Sequence, residues 1–227
     1  ASNRIASEAI TLVKDSKGLL PINASPKDTL YIIDIYDQEY KHSRSTVASK
    51  IISERIPVRA IQVDESDKKP ILDVIVKSIP KNSQILINAF VSPKEWKDRI
   101  FFPDNETYFV RELIKKSDRI ILASLGTPYL LQDFPKVSTY ICAYNGSYLM
   151  QNALADALLG RKDISGRLPI SIPGLYEIGS GIFKEMKAQV EKKSEYRPGI
   201  EIKRVLPKAV GANNNYIERF MESAIKD

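Results

Sequence analysis

The stretch from Arg119 to Pro173 constrains the fold more than any other part of the chain. Arg119 to Leu125 and Val137 to Tyr144 are near-continuous apolar runs, the pattern of strands covered on both faces in a parallel sheet. Each run ends in turn chemistry, Gly126-Thr127-Pro128 after the first and Asn145-Gly146-Ser147 after the second. Ser147 then suits the N-cap of a helix whose Leu149, Met150, Ala153, Leu154 and Ala157 form a buried stripe, and Gly160 suits its end.

The same alternation runs through the chain before it. Thr29 to Tyr36 and Gln84 to Val91 read as further buried strands, and Val58 to Val63, which alternates apolar and polar residues, reads as an edge strand. Asp34 sits inside the first of these and requires a hydrogen-bonding partner. Helices are expected at Ser2 to Ile10, with Ile5, Ala6, Ala9 and Ile10 inward, and at Ser45 to Arg55, ending before Pro57. Two more are expected between Pro70 and Pro80 and at Asn105 to Lys116, the last with Phe109, Val110, Leu113 and Ile114 inward. Thr11 to Lys14 reads as a short extended arm. Strands alternating with helices of this length predict an α/β fold, a three-layer α/β/α sandwich with a mostly parallel sheet.

That unit is expected to span residues 1 to 176. From 177 to 227 the composition shifts: Lys184 to Lys208 reads as a charged linker or helix, and Asn213 to Asn215 precede an amphipathic helix carrying Ile217, Phe220, Met221 and Ile225. With 43% apolar and 27% charged residues the chain can bury a real core. Its net charge of +6 is spread along the sequence without a basic-aromatic cluster, so nucleic acid is not the expected partner. No apolar run approaches the ~18 residues of a membrane span. No signal-peptide pattern opens the chain, and its abrupt start reads as a piece of something longer.

Chemistry-bearing motifs are sparse. Ser66 to Lys69 and Ser78 to Lys81 have S-x-x-K spacing, yet one lies in a charged turn and the other straddles Pro80, so neither opens a helix in a pocket. Cys142 lies within an apolar run and reads as a small hydrophobe rather than as a partner for the single histidine, His42. One histidine and one cysteine do not make a zinc site, no glycine loop follows a strand as nucleotide binding requires, and neither metal nor cofactor is expected. Asp37, Glu39, Asp104, Glu106 and Asp133 read as loop and N-cap carboxylates; sequence alone yields no acid/base pair among them.

Three ordered segments resemble a known family. Ala6 to Asp15 followed by Gly18-Leu19-Leu20-Pro21-Ile22 resembles the opening "A-x-x-A-I-T-L-V-K…L-L-P-L" of the C-terminal domain of family 3 glycoside hydrolases. Leu125 to Tyr129 resembles its "L-G-x-P-Y" turn, and Gln151 to Leu159 with Ser165 to Pro173 resembles its closing "Q-x-A-L-A-D-x-L-x-G…S-G-R-L-P-V-S-x-P". The bacterial β-N-acetylglucosaminidase subgroup is the nearest in flavour.

The resemblance implies an N-terminal catalytic (β/α)₈ barrel, a glycan substrate met through the parent enzyme, and a bacterial envelope location, periplasmic or secreted. It implies that this chain alone is catalytically silent. Residues 206 to 225 resemble the linker and first helix of a serine β-lactamase-type domain, which would follow. On this reading the candidates for the rim of the active site or for contact with the barrel are Gly126, Thr127, Pro128, Tyr129, Asn145 and Gly146, at strand ends where backbone amides and a tyrosine suit sugar contacts. The alternative is a stand-alone flavodoxin-like module that binds a small ligand or protein at those strand ends.

Overall fold

The computed structural model describes residues 2–23, 28–36, 45–54, 56–91 and 102–186. The expected helix 213–225, the tail resemblance at 206–225, His42, Asp37 and Glu39 lie outside them. The fold is the expected α/β/α sandwich, built on a six-stranded sheet: β1 (Thr11–Asp15), β2 (Leu30–Tyr36), β3 (Val58–Asp64), β4 (Ile85–Phe90), β5 (Ile120–Ser124) and β6 (Thr139–Cys142). Its order is β1-β6-β5-β4-β2-β3, and every pairing is parallel except β1 with β6.

Strand residues point alternately to two cores. Leu30, Ile32, Tyr36, Leu86, Phe90, Ile121 and Ile141 join one core with α1 (Ser2–Ala9), α2 (Thr46–Ser53) and α5 (Tyr148–Leu158). Tyr31, Ile33, Ile35, Ile85, Ile87, Ile120 and Tyr140 join the other with α3 (Lys69–Ser78), α4 (Asp104–Lys116) and a short 3-10 helix, Pro128–Gln132. The central strands β2, β4, β5 and β6 are buried along their whole length, which is why they read as unbroken apolar runs. β3 lies at one edge and is mostly half-buried, as its alternating sequence predicts.

β1 occupies the other edge, and the closing segment covers it. Ile182 donates its N–H to Leu12 O (2.7 Å), Ile164 and Lys184 exchange backbone hydrogen bonds of 3.0 and 2.9 Å, and Lys184 Nζ lies 2.5 Å from Asp15. These contacts shield part of that edge from pairing with another chain. Lys184, expected to begin a charged linker, is thus part of the packed body, and Met186 reaches the core. Two stripe assignments also shift. Ile5 is 63% exposed and Leu149 41% exposed, because α1 and α5 pack against each other through Ala6, Met150, Ala153 and Leu154 and turn those two residues outward.

The helix ends obey local chemistry. Ser45 Oγ accepts the Ala48 N–H at the start of α2, and Ser147 Oγ accepts the Met150 N–H at the start of α5. α5 ends at Gly160, whose φ of +72° suits a residue without a side chain. Ser147→Ala is expected to lower stability by ~1 kcal/mol through loss of the cap; a urea midpoint indistinguishable from wild type would contradict that role.

Candidate functional site

The order of the strands places a topological reversal between β2 and β4. From β2 the chain runs through α2 on one face to β3; from β4 it runs through α4 on the opposite face to β5. In open α/β sheets the carboxyl ends at such a point form the natural crevice. The carboxyl-end rim therefore comprises this crevice together with the elbows after β5 and β6.

The β5 elbow is held tightly. Leu125 donates to Ala89 O (2.8 Å), and Gly126 lies so close to the end of β4 that a Cβ there would fall 1.8 Å from Val91 O. Ser124 Oγ donates to Thr127 O (2.7 Å), and Thr127 Oγ1 caps the 3-10 helix by accepting the Tyr129 N–H at 3.3 Å. The Tyr140 hydroxyl donates to Pro128 O (3.0 Å). Thr127 and Pro128 are buried and Tyr129 is half-buried.

The β6 elbow turns to the other face. Tyr144 adopts φ +61°, which an L-residue other than glycine rarely adopts, and its hydroxyl lies 2.7 Å from Thr11 Oγ1. Burial pushes that phenol up to about 12. Asn145 is exposed, and its side-chain carbonyl accepts the Ser147 N–H at 2.9 Å. Gly146 is buried, and its carbonyl accepts Gln151 Nε2 (2.8 Å), while Gln151 Oε1 accepts the Thr46 N–H (2.7 Å). Gln151 thus ties the elbow to the start of α2. Gln151→Ala is expected to cost roughly 1–3 kcal/mol, since two buried or half-buried backbone groups lose their partners, and to loosen the Thr46 amide in hydrogen exchange. Unchanged protection at Thr46 would rule the tie out.

Gly126, Thr127, Pro128 and Tyr129 therefore share one side of the sheet end, with Asn145 and Gly146 on the other. Between the elbows and β3 lies the crevice, where sequence reading identified only the need for a partner at Asp34. Asp34 Oδ1 accepts from Ser45 Oγ (2.9 Å) and from Asn88 Nδ2 (2.7 Å). Above this buried cluster the rings of Tyr36 and Phe90 stack at 4.6 Å. Burial, and then the Asp34 charge, drive the Tyr36 phenol far above its ordinary value. On the opposite face Glu106, expected to be an ordinary N-cap carboxylate, is 1% exposed.

The other candidates are structural where they are described. Ser66 donates both its N–H (2.7 Å) and its hydroxyl to Asp64 Oδ1, and Ser78 Oγ donates to Ile75 O (2.7 Å), so both S-x-x-K serines are engaged in local turns. Cys142 is fully packed, and burial pushes its thiol up to about 12, the opposite of a reactive thiolate. Among the described residues no group of three or more His, Cys, Asp or Glu is arranged to hold a metal, and no helix is long and apolar enough to cross a membrane.

Comparison with known proteins places the chain. Solved structures share its fold. A fungal multi-domain family 3 β-N-acetylglucosaminidase superposes with a TM-score of 0.60 at 18% identity, covering 78% of this chain and 19% of that one. A family 3 β-N-acetylglucosaminidase from Paenibacillus sp. str. FPU-7 gives 0.57 at 18% identity, with 72% and 30% covered. The β-glucoside phosphorylase BglX gives 0.55 at 24% identity, with 75% and 31% covered. The chain thus spans a fifth to a third of the length of these structures. No curated protein matches it. The model of the glycosyl hydrolase family 3 C-terminal domain matches residues 10–204. The chain belongs to the family of glycosyl hydrolase family 3 C-terminal domains.

Proposed function

We propose that this chain is the non-catalytic α/β sandwich of a larger glycoside hydrolase, that its carboxyl-end rim abuts an N-terminal (β/α)₈ barrel, and that the whole enzyme hydrolyses β-linked N-acetylglucosamine. The observation that carries the scaffold role is the use made of polar groups at the elbows. Ser124, Thr127, Tyr140, Asn145, Ser147 and Gln151 all bond within the fold, which presents a rigid rim rather than a set of poised reacting groups. Such a rim suits contact with a separate catalytic domain. In this reading Gly126, Tyr129 and Asn145 are its contact positions, and the buried Thr127, Pro128 and Gly146 hold them in place.

The N-acetylglucosamine specificity rests on the resemblance of the segments at 6–22, 125–129 and 151–173 to the β-N-acetylglucosaminidase subgroup. The same resemblance carries an envelope location, periplasmic or secreted; a fused serine β-lactamase-type domain rests separately on residues 206–225, which resemble its linker and first helix.

The test compares the full encoded protein with this chain alone on chromogenic N-acetylglucosaminide, glucoside and xyloside. The full protein is expected to prefer the N-acetylglucosaminide by at least about tenfold in kcat/KM, a difference of ~1.4 kcal/mol in transition-state binding, and the isolated chain to be silent. Turnover that stays with the isolated chain through purification overturns the scaffold role. A preference for glucoside or xyloside overturns the specificity.

A further inference from the structure

Glu106 is the one carboxylate in the described fold whose position its surroundings do not justify. It shares a helical stripe with Phe109, Val110 and Leu113, so the register of α4 carries its side chain into the core. Neither of its oxygens receives a hydrogen bond from another residue, and the residue is 1% exposed. A glutamate in the third position of a helix ordinarily accepts the backbone N–H of the N-cap residue. Here the N-cap is Pro103, which has no N–H to give.

The neighbouring charges are of the wrong sign. The β3–α3 turn brings Asp64, Glu65 and Asp67 near it, and α4 itself adds the exposed Asp104. α4 is joined to that turn by Asn105 Nδ2, 3.5 Å from Asp67 O. On α3, Lys69 Nζ lies 4.1 Å from the centre of the Tyr108 ring and Asp73 accepts the Tyr108 hydroxyl at 2.7 Å. Among the described residues no lysine or arginine pairs with Glu106; the connection 92–101 lies outside them.

We infer that the first turn of α4 is a proton-operated latch: a proton on Glu106 keeps the turn seated on the end of the sheet beside the β3–α3 turn, and release of that proton to solvent lifts it. Burial first, then the charges of Glu65, Asp67 and Asp64, hold the Glu106 carboxyl above its ordinary value. The folded chain therefore keeps this proton at pH values where the unfolded chain has released it. The resulting stabilisation is complete below the ordinary glutamate range and is lost as pH rises through the folded-state value. Lifting that turn would alter the same sheet end from which the β4–α4 connection departs, so the latch would act on the rim itself.

The test is hydrogen exchange of the Thr107 amide, which bonds to Pro103 O at 2.9 Å, measured from pH 4 to 9 and corrected for the intrinsic rate. Its protection is expected to be lost progressively as pH rises through the Glu106 titration, while the Leu122 amide in β5 stays constant. Glu106→Gln, which fixes the neutral form, is expected to match wild type at acid pH, to keep its protection at high pH, and to flatten the pH dependence of Tm. The same loss of Thr107 protection in Glu106→Gln overturns the latch. Should that variant fail to fold, the side-chain carboxyl of wild-type Glu106 is followed by ¹³C NMR: a midpoint above the ordinary glutamate range supports the latch, and an ordinary midpoint overturns it.

Discussion

Gly126→Val is expected to lower stability by at least about 3 kcal/mol, the upper end of overpacking costs, and a Tm fall of roughly 6–12 °C would report it in a chain of this size. The cause is backbone against backbone. A Cβ at position 126 would lie 1.8 Å from Val91 O and 2.8 Å from Val91 C, at the end of β4, so no rotamer change relieves it. Either β4 and β5 separate at their carboxyl ends, breaking the Leu125 N–H bond to Ala89 O, or the elbow unwinds. Gly174→Ala serves as the control. Its φ is +75° and nothing lies within 4 Å of the added carbon, so it should cost only the ~1–2 kcal/mol of a left-handed residue. A Tm for Gly126→Val within about 2 °C of wild type, less than the shift expected from 1 kcal/mol, would mean that the close approach of β4 and the elbow is not built into the folded chain.

The role of Gly126 shows what the sequence could and could not convey. As a glycine after an apolar run it was legible as a turn. Its intolerance of a side chain comes from Val91, just past the end of the neighbouring strand β4, and no local pattern reports that. The central strands were legible for the converse reason: burial on both faces makes 30–36, 85–90, 120–124 and 139–142 apolar at nearly every position. β1 read only as an extended arm, because its antiparallel partner lies far along the chain at 139–142. Ile5 and Leu149 fit the helical stripe by spacing, yet α1 and α5 take up each other's small residues and leave them outside.

Glu106 was the least legible residue at the rim. Carboxylates in a first helical turn are normally solvated and interact favourably with the helix dipole, so Asp104 and Glu106 looked alike. Two signals separate them: only Glu106 lies on the Phe109–Val110–Leu113 stripe, and only Glu106 is three residues beyond a proline that cannot complete a capping box. Asp34 was more legible, since an ionisable residue inside an apolar run must find partners. Which partners it found depended on the pairing of β2 with β4 and on where α2 begins.

That partnership carries the second large effect. Asp34→Ala is expected to cost roughly 2–5 kcal/mol, because two buried neutral donors, Ser45 Oγ and Asn88 Nδ2, lose their shared acceptor at about 1–3 kcal/mol each. Asp34 is 1% exposed, and its Oδ1 accepts from both Ser45 Oγ and Asn88 Nδ2. Ser45 Oγ in turn accepts the Ala48 N–H at 3.0 Å, so the same carboxylate steadies the cap of α2. Asn88 Oδ1 already has no donor, and in the alanine variant the other end of its amide would lose its acceptor as well. Asp34→Asn keeps one accepting oxygen and should cost less, about 1–2 kcal/mol. Urea unfolding of Asp34→Ala, Asn88→Ala and the double variant separates the network from simple packing loss. If Asp34 and Asn88 act as a pair, the double variant should fall short of the sum of the singles by about 1–3 kcal/mol. Additivity to within ~0.5 kcal/mol would show that each residue stabilises the fold independently. The reversal between β2 and β4 would then be held by the Tyr36–Phe90 stack and the apolar cores instead of by a polar clasp across the two strands.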